Sequence, residues 1–580
     1  MAVLALVFAV SAHGQMGRSQ DWNTFGGDVG RTGFERSDPR LTKESVAKDF
    51  ALLYKTKLEE NVRGQRSVTP PVIISTLISY RGFKELAFVG GSNNTVYSIN
   101  ADFGKMFWHK PLIYSSEIPQ AKDSSQPCSG GLTAVLSLVP PPVFGRGGRG
   151  PTPAPPAAAP AGRGPGGDPL PPGAPVAGGG AGAVAPFAGG RGAAATGVAG
   201  APGAGGALTG RGLGGGGFGA SRPVLVLGSD GRLHRLNSAN GDDLGGTPTR
   251  FLPPNARGSM LNIADNVIYT STNQGCGAVP NAVWAVDFMA ETPAVTSWAS
   301  NGGGVWGAGG VAIGPDQTIY AQLGDGPLDP AAKKFSNTLV ALSPRALEVK
   351  QYFTPPNPGA TKNIGMSAAT PVVFAWKGRT LVASTGKDGR VYLVDGELVG
   401  GANHTTSLAR SEQLSEGATA DRGIYGLASW EDEGQNRWIA AAVWGPLAGV
   451  AANPNGAVVA FKVEEKDGMP AMTQAWVSRD LVSPVPPVIA SGVVFALSAG
   501  EYTRIAKQGF GGIYSVEEKP KPGARATLYA MDASTGKDIW SSKLQIAAAG
   551  ALTGLTVANG RVYFGTTDST FYCFGIGMEH

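Results

Sequence analysis

The phrase VYSINADFGKMFWHKPL at Val96 to Leu112 recurs in recognisable form as LYAMDASTGKDIWSSKL at Leu528 to Leu544. Each copy begins with alternating apolar and polar residues, which is the period of a half-buried strand. An Asn or Asp and a Gly then interrupt the strand, as in chain-reversing turns where Gly supplies a positive φ. A second strand follows, and it carries Trp108 or Trp540 at the same distance from the Gly. The recurrence predicts a structural repeat.

The third strand of the repeat is a convenient marker, and eight copies of it occur along the chain. They begin near Val96, Leu233, Val283, Leu339, Val391, Val458, Leu528 and Phe571. After the first interval the spacing ranges from 43 residues (Leu528 to Phe571) to 70 residues (Val458 to Leu528). These lengths bracket that of a four-stranded propeller blade.

The first interval is longer because residues 140–221 form an insert of Gly, Ala and Pro with scattered Arg. Such a composition buries too little apolar area to offset its backbone entropy, so we expect the insert to be disordered. Its Arg content is too sparse, and its aromatic residues too few, to favour RNA or DNA binding. The insert separates LTAVLSLV from PVLVLGSD, the first two strands of the second unit. These can still pair, since loop-closure entropy grows slowly with length.

The last unit has only three strands, whereas the segment Phe50 to Leu58, FALLYKTKL, resembles a fourth strand with nothing before it. Pairing the two closes a ring and leaves no open edge. We therefore predict an all-β fold, an eight-bladed β-propeller of four-stranded antiparallel blades, closed by an N-terminal strand in the last blade. A single propeller then comprises residues 16–139 and 222–580. Small residues at 309–310 and 550–554 are expected on innermost strands that converge on a narrow axis.

Composition and charge exclude several classes of protein. The net charge of +5 is small for 580 residues, and no run of five like charges occurs, so no nucleic acid or membrane surface is indicated as a partner. Residues 1–15, MAVLALVFAVSAHGQ, resemble a signal peptide, which predicts a periplasmic or secreted protein. Their apolar stretch is too short for a transmembrane span. The three cysteines allow at most one disulfide. We expect a monomer.

The repeated phrase resembles the tryptophan-docking motif of the pyrroloquinoline-quinone (PQQ) dehydrogenase superfamily, Ala-x-Asp-x-x-x-Gly-Lys-x-x-Trp. It is complete at Ala530 to Trp540 and nearly complete at Ser98 to Trp108, where Asn100 replaces the Asp. The resemblance implies that each tryptophan locks its blade to the next. It is specific for fold rather than chemistry, because non-enzymatic outer-membrane assembly propellers share the same repeat.

The resemblance also implies a set of catalytic parts, and several are missing. The family has a vicinal Cys-Cys disulfide over the quinone, where this chain has only Cys128 in QPCSGG. The family's calcium-ligating Glu has no counterpart in TNQGCGAVP at 272–280. The catalytic Asp that follows a Thr-Pro pair is replaced by Asn357, which cannot act as a base. Whether Cys128 pairs with Cys276 is left open.

Four residues are candidates for a retained cofactor site. The resemblance implies that Lys387, in Lys-Asp-Gly, contacts the quinone and that Trp306 forms its aromatic floor, while Asp325 replaces a calcium-ligating Asn. Arg66 would face the central funnel and an anion. Each has an ordinary alternative: Lys387 and Asp325 as turn residues, Trp306 as blade packing, and Arg66 as a solvated loop residue.

Two functions are therefore in competition. The first is an exported, non-catalytic binding or scaffold propeller with a degenerate PQQ site, holding a protein or small ligand in its central funnel or on its rim. The second is a divergent PQQ-dependent dehydrogenase that oxidises an alcohol or sugar, with PQQ and calcium as cofactors. The missing base, ligand and disulfide favour the first, because the reaction needs both a metal to polarise the quinone and a carboxylate to take the proton.

Overall fold

The computed structural model of the chain describes residues 21–36, 38–60, 68–79, 82–112, 135–138, 223–254, 256, 258–273, 279–355, 369–415, 422–502 and 521–577, with 78–79, 83 and 135–138 described by backbone alone. The predicted leader and the whole of the predicted insert lie outside these ranges. So do Arg66, Asn357, Cys128 and Cys276.

The described strands form eight sheets, each of which is one blade of a propeller. Blades 1 to 4 are built as follows: blade 1 from β3 (Val72–Ser79), β4 (Gly82–Gly91), β5 (Thr95–Asn100) and β6 (Met106–Pro111); blade 2 from β7 (Val135–Leu138), β8 (Pro223–Leu227), β9 (Arg232–Asn237) and β10 (Thr249–Arg250); blade 3 from β11 (Asn262–Ala264), β12 (Val267–Thr272), β13 (Ala282–Asp287) and β14 (Val295–Ala299); blade 4 from β15 (Ala312–Ile313), β16 (Ile319–Gln322), β17 (Leu339–Leu342) and β18 (Val349–Phe353).

The remaining blades follow the same order: blade 5 from β19 (Val372–Trp376), β20 (Arg379–Thr385), β21 (Val391–Asp395) and β22 (Ala409–Arg410); blade 6 from β23 (Gly423–Glu431), β24 (Arg437–Trp444), β25 (Gly456–Lys466) and β26 (Met469–Val477); blade 7 from β27 (Val488–Ala490), β28 (Val493–Ser498), β29 (Thr527–Asp532) and β30 (Asp538–Ser541); blade 8 from β31 (Thr556–Ala558), β32 (Arg561–Gly565), β33 (Thr570–Ile576) and β2 (Phe50–Lys57). The short strand β1 (Phe34–Glu35) joins blade 7, and a helix α1 (Lys43–Asp49) precedes β2. A single turn of 3-10 helix spans Pro330–Ala332.

The predicted architecture is confirmed. The eight markers coincide with the third strands of the eight blades, from β5 to β33. Strands β7 and β8, which flank the predicted insert, pair antiparallel from Val135 with Leu227 to Leu138 with Val224. The small residues at 309–310 and 550–554 lie just before the innermost strands β15 and β31 rather than within them.

The middle strands of the blades are buried on both faces. Strands β12 and β24, for example, consist wholly of buried residues. Each blade is packed between two neighbours, so neither face of a middle strand reaches water, and the alternation of a half-buried strand disappears. One apolar cluster, for example, combines residues of blades 5 and 6.

The ring closes as predicted, with β2 as the outer strand of blade 8. It pairs antiparallel with β33, from Phe50 opposite Ile576 to Lys57 opposite Thr570. A bulge between Leu52 and Tyr54 interrupts the ladder. The last blade therefore takes three strands from the C-terminal part of the chain and one from the N-terminal part.

A buried ion-pair network joins blade 8 to blade 1 at this seam. Arg561, at 2% exposure, contacts Glu85 through Nη1 at 2.5 Å and Asp102 through Nη2 at 3.0 Å. Burial raises the pKa of Glu85, although the Arg561 charge opposes this. The neighbouring Cys573 is a buried free thiol, and burial also raises its pKa. Such a network costs several kcal/mol when one partner is removed, because the other charge is then left buried alone.

Aromatic residues on three outer strands contact the next blade in one common way. Trp108 donates through Nε1 to the Ser238 carbonyl at 3.0 Å, and Trp476 donates to the Ala533 carbonyl at 3.0 Å. Tyr54, in the closing strand, donates through Oη to the Ala101 carbonyl at 2.9 Å. Each ring also lies against a left-handed glycine of the same turn. These glycines are Gly241, Gly536 and Gly104, with φ values of 78°, 71° and 68°.

The segment 21–36 runs along the inside of the ring, across the innermost strands. Its strand β1 pairs parallel with β27. The carboxylate of Asp38 accepts a hydrogen bond from the Gly560 amide of blade 8. Backbone hydrogen bonds connect the segment to four further strands, Trp22 with Ile73, Val29 with Ile313, Gly30 with Val373 and Thr32 with Ser429, and Gly33 adds a bond to Ile489 of β27. The channel of the propeller is thus occupied by the chain itself.

The ring of Phe25 spans the channel between opposite blades. A Cβ atom added to Gly309 of blade 4 would lie 2.5 Å from its Cδ1, and one added to Gly554 of blade 8 would lie 3.1 Å from its Cε2. These two positions therefore exclude side chains because the phenyl ring fills the space. At this level one side chain closes the channel.

Arg31 lies beside Phe25, with 1% of its surface exposed. Its guanidinium donates to Thr24 Oγ1 at 2.7 Å and to the carbonyls of Phe25, Val311 and Leu261 at 2.9, 3.0 and 3.2 Å. Burial lowers the pKa of Arg31 to about 9, which still leaves it charged at neutral pH. A buried charge is tolerated only when it is paired or fully hydrogen-bonded, and here backbone carbonyls of two blades supply the acceptors.

Candidate funnel site

The candidate residues lie on one face of the propeller, the face on which the innermost strands begin, called here the upper face. In an antiparallel blade the end of the second strand lies beside the beginning of the innermost strand. The loop after β16 carries Asp325 and the loop after β20 carries Lys387, while Trp306 precedes β15. The topology therefore brings all three to the same face of blades 4 and 5.

Two glycine-rich segments position Asp325. Residues 302–304 pack against residues 324–326, where the Gly324 amide donates to the Gly304 carbonyl at 2.8 Å. A Cβ added to Gly303 would lie 2.2 Å from the Gly324 carbonyl oxygen, so only glycine allows this backbone approach. The carbonyl of Gly324 also accepts from the Asn337 amide at 2.7 Å. The Asp325 side chain is thus held on a compact loop.

Lys387 and Asp325 form an ion pair. The distance from Lys387 Nζ to Asp325 Oδ1 is 2.7 Å, and the two side chains are 7% and 25% exposed. The Asn337 Nδ2 atom lies 3.4 Å from the same carboxylate oxygen. Two of the four predicted site residues are therefore in direct contact, although 62 positions separate them in the chain.

The backbone of Trp306 lies next to this pair, because Val305 forms a β-bridge with Leu323, which is two residues before Asp325. Its ring is partly buried and packs against the cluster that contains Trp444. Its Nε1 atom is buried and has no hydrogen-bond partner within the described residues. A buried indole N–H usually finds a partner, so the described residues leave one donor of the upper face unsatisfied.

Blade 6 contains an aromatic pair that no sequence motif marks. Tyr425 stacks on Trp444 with ring centroids 4.1 Å apart and an interplanar angle of 17°. A bulge between Ile424 and Gly426 takes Tyr425 out of the ladder of β23. Bulges of this kind re-aim a side chain and are frequent next to functional sites. In the sequence the only hint is the phrase AAVWGPLAG, which is also typical of an ordinary buried strand.

The upper face also contains a buried carboxylate that no sequence motif marks. Glu60 accepts hydrogen bonds from Ser92 Oγ at 2.9 Å, the Asn93 amide at 2.6 Å and Tyr97 Oη at 2.8 Å. Burial raises the pKa of Glu60, against these hydrogen bonds. With three donors on its two oxygens, Glu60 joins the segment after β2 to the turn between β4 and β5 rather than presenting a free base.

A family model matches residues 511–576, which include the two outer strands of blade 7 and three strands of blade 8, and its description is outer membrane protein assembly factor BamB. Solved structures match over nearly the whole chain. The quinohemoprotein alcohol dehydrogenase of Comamonas testosteroni has a TM-score of 0.50 and 13% identity, with 97% of this chain and 81% of that chain covered. The fold is that of a quinoprotein-like propeller.

Two further quinoprotein structures give the same result. The quinohemoprotein alcohol dehydrogenase ADHIIG of Pseudomonas putida HK5 has a TM-score of 0.52 at 11% identity, with 97% and 81% of the two chains covered. A europium-containing methanol dehydrogenase has a TM-score of 0.52 at 10% identity, with 96% and 98% covered. None of the curated protein sequences matches this quinoprotein-like propeller. None of the helices in the described ranges has the length and hydropathy needed to cross a membrane.

The described residues do not fit calcium in the quinoprotein-like funnel. Calcium takes about 6–8 oxygen ligands, and within the described ranges no three His, Cys, Asp or Glu side chains come together as a metal site. The one carboxylate of the funnel pair, Asp325, already has an ammonium group at 2.7 Å. A divalent cation at this oxygen would have to displace Lys387.

The fit to a quinone is better than the fit to calcium. PQQ is planar and anionic, and the described part of the upper face offers a largely buried lysine, a Trp306 indole N–H without a partner among those residues, and a stacked aromatic pair in blade 6. Lys387 and Trp306 would be the residues in contact with such a group. The bound quinone would supply hydride acceptance, while these residues would bind and orient it.

Proposed function

We propose that the protein is an exported quinoprotein-like propeller that binds a ligand or partner without oxidising it, with a degenerate PQQ site in its funnel. The observation that carries this proposal is the contact between Lys387 Nζ and Asp325 Oδ1 at 2.7 Å. A dehydrogenase of this type needs a metal to polarise the quinone and a carboxylate to take the alcohol proton. In this funnel the carboxylate of the pair is neutralised by lysine.

The energetics of the pair argue against exchange of the lysine for a metal. The Lys387 side chain is 7% exposed, so a metal bound to Asp325 would leave a largely buried ammonium facing a divalent cation. A buried charge that loses its partner costs several kcal/mol. The position of the family's catalytic base is occupied by Asn357, whose amide has no proton affinity at neutral pH.

The export assignment rests on the leader-like residues 1–15, with their apolar run ending in small residues. We take the contacts of Trp108 and Trp476 with the following blades as the tryptophan docking that the family resemblance implies. Docked blades form a rigid ring, and rigid propellers present their funnel and rim as binding surfaces. We propose a monomer with a protein or small-molecule ligand at one of these surfaces.

A divergent PQQ-dependent dehydrogenase is the second candidate, and one observation favours it. Lys387, Asp325 and the backbone of Trp306 come together on the upper face, as a retained cofactor cradle requires, and the Trp306 Nε1 donor lacks a partner among the described residues. In this alternative PQQ would be the cofactor, and calcium would have to enter at Asp325 with ligands from outside the described ranges.

Titration of PQQ into the purified protein, with either Ca²⁺ or EDTA present, distinguishes the two candidates. Quinone absorbance reports binding, and reduction of an artificial dye with alcohols and sugars reports turnover. We expect no dye reduction in either condition. We also expect any PQQ binding to be independent of Ca²⁺ and weakened by K387M, because Lys387 rather than a metal would neutralise the carboxylates of PQQ.

Two variants give the controls for this titration. D325N keeps the shape of the loop and releases Lys387 from its ion pair, so any PQQ binding should strengthen. Dye reduction that depends on Ca²⁺ and is lost in D325N would overturn the proposal in favour of the dehydrogenase.

A further inference from the structure

The closing blade leaves one tryptophan without the turn that covers its equivalents. In blades 1 and 6, Trp108 and Trp476 are each covered by the turn between the third and fourth strands of the next blade. Blade 8 has no such turn, because its fourth strand β2 comes from the N-terminal part of the chain. Trp540 of blade 7, which faces blade 8, therefore has no turn to dock on.

The surroundings of Trp540 differ accordingly. Its ring meets Phe50 edge to face, with centroids 4.8 Å apart, and Phe574 at 5.6 Å. Within the described residues its Nε1 atom donates to no acceptor. A groove of about 510 Å³ opens beside it, continuous with the interface of blades 7 and 8 and lined by Phe50, Ala51, Asp538, Ile539, Trp540, Ser541, Ser542, Lys543 and Gln545.

The covered tryptophans show what such a groove accepts. Each covering turn provides a backbone carbonyl to Nε1 and, three residues later, a left-handed glycine under the ring. The carbonyl residue and glycine are Ser238 and Gly241 for Trp108. They are Ala533 and Gly536 for Trp476.

A charge pair accompanies both docked turns. Lys110, two residues after Trp108, contacts Asp243 at 2.7 Å, and that aspartate is two residues after the turn glycine. Arg479, three residues after Trp476, contacts Asp538 at 2.8 Å, again two residues after the turn glycine. The covering turn thus contributes an acid to a base on the outer strand.

At Trp540 the basic residue of this charge pair is present as Lys543, but the described residues supply no acidic partner to it. Lys543 follows Trp540 by three residues, as Arg479 follows Trp476, and it is exposed and lines the groove. It forms no ion pair with the part of the chain that the structure describes. The groove is therefore lined by Trp540, whose Nε1 has no acceptor among the described residues, and by exposed Lys543, at the spacing that Trp476 and Arg479 have where a turn is docked.

We propose that this groove docks a turn of a partner protein with the form Asp-x-x-x-Gly-x-Asp. The backbone carbonyl of its second residue accepts a hydrogen bond from Trp540 Nε1, and its last carboxylate pairs with Lys543. The proposal is independent of the proposed function, because the groove lies at the outer strands and the funnel lies at the innermost strands. A failure of either leaves the other standing.

The probe is a cyclised peptide with the sequence DASTGKD, which is this chain's own turn at Asp532 to Asp538. It is titrated into the full-length protein labelled with fluorotryptophan, and the signal of Trp540 is identified by its loss in W540F. We expect saturable movement of this signal at sub-millimolar peptide. A peptide with Val in place of Gly should not bind, because the left-handed turn is then strained.

Charge reversal provides a test that does not disturb the core. Lys543 is exposed, so K543E should fold normally, and we expect about tenfold weaker peptide binding, a change of about 1.4 kcal/mol. A peptide whose final Asp is replaced by Lys should recover binding to K543E. The proposal is overturned if millimolar peptide leaves the Trp540 signal in place, if the Val peptide binds equally, or if K543E binds the original peptide as the parent protein does.

Discussion

Tyr54 Oη donates to the Ala101 carbonyl at 2.9 Å, and this bond joins the strand that closes the ring to the turn between β5 and β6 of blade 1. The two residues are 47 positions apart, yet they connect the last blade with the first. Tyrosine here makes the contact that tryptophan makes at two other blade interfaces, with the ring against Gly104. The seam is therefore held in the same way as the interfaces of blade 1 with blade 2 and of blade 6 with blade 7.

Substitution of Tyr54 separates the hydrogen bond from the ring packing. Y54F removes only the bond and should lower the free energy of unfolding by about 1 kcal/mol. Y54A also removes the ring against Gly104, and we expect a loss of about 3 kcal/mol. Denaturant unfolding measures both. Equal losses in the two variants would show that the ring contributes nothing to the seam.

Removal of residues 1–58 should open the ring and destabilise the whole propeller, because blade 8 loses β2, the edge of β33 is exposed, and the channel loses the segment 21–36. A protein lacking only residues 1–20 is the matched control and should melt near the parent. In a C128S/C276S background the buried thiol of Cys573 reports the same event. It should react with a thiol reagent quickly in the longer deletion and slowly in the shorter one. Identical melting of the two would contradict the closure role.

Replacement of Arg31 by methionine should cost about 3–5 kcal/mol of unfolding free energy, as for other buried charge networks that lose one member. The reason is that carbonyls of two blades lose their donor in a place that water does not reach. The control is R36M, because Arg36 is exposed and its loss should change stability by about 0.5 kcal/mol or less. A similar small effect in both would mean that the carbonyls around Arg31 find other donors.

The protein should lose stability in acid because the ionised Asp532 side chain stabilises the folded state. Burial disfavours its ionised form, but hydrogen bonds from Lys43 and Ser534 outweigh this and lower the pKa of Asp532 to about 2. Because the folded pKa is below the ordinary value of 3.8, its contribution is complete above about pH 4 and is lost as the pH falls through about 2. We expect D532N to cost about 1–2 kcal/mol at pH 7.

Urea unfolding of the parent and D532N between pH 2 and pH 7 measures this contribution, and the difference between the two proteins should shrink toward pH 2. K43M should reproduce part of the loss at neutral pH, since Lys43 Nζ lies 2.8 Å from the Asp532 carboxylate. A difference that is constant with pH would show that the aspartate acts through its turn geometry alone.

A double-mutant cycle on Lys387 and Asp325 measures their coupling. K387M and D325N should each lower the unfolding free energy by about 1–3 kcal/mol, since each leaves a partly buried polar group without its partner. The double variant should lose less than the sum, with a coupling of about 1 kcal/mol or more. Strict additivity would mean that the pair is a surface contact of no energetic value.

The blade count and the closing strand followed from the sequence because both depend on patterns that repeat. The alternation of the third strand occurs eight times, and the orphan strand at Phe50 to Leu58 matches the gap in the last repeat. Asp325 and Lys387 lie in equivalent turns of neighbouring blades and contact each other, and their role in holding a cofactor stays a prediction.

The channel segment could not be predicted, for a physical reason. Residues 21–36 bind mainly through backbone amides and carbonyls, which every residue has, so the sequence carries no periodic signal of the contacts. Arg31 lies in a turn-rich stretch where an arginine is normally solvated, so its burial could not be read from the sequence. Likewise the bulge that re-aims Tyr425 arises from register rather than from a motif.

The threading of residues 21–36 through the ring has a consequence for biosynthesis. This segment leaves the ribosome before any blade exists, yet it bonds to β19, β23 and β27, which are made hundreds of residues later. The same is true of β2 and its partner β33. Chains fold from the N-terminus as they emerge, but these early residues have no partner to fold with. Residues 21–36 and β2 can therefore reach their final contacts only after the strands of blades 5 to 8 have been synthesised.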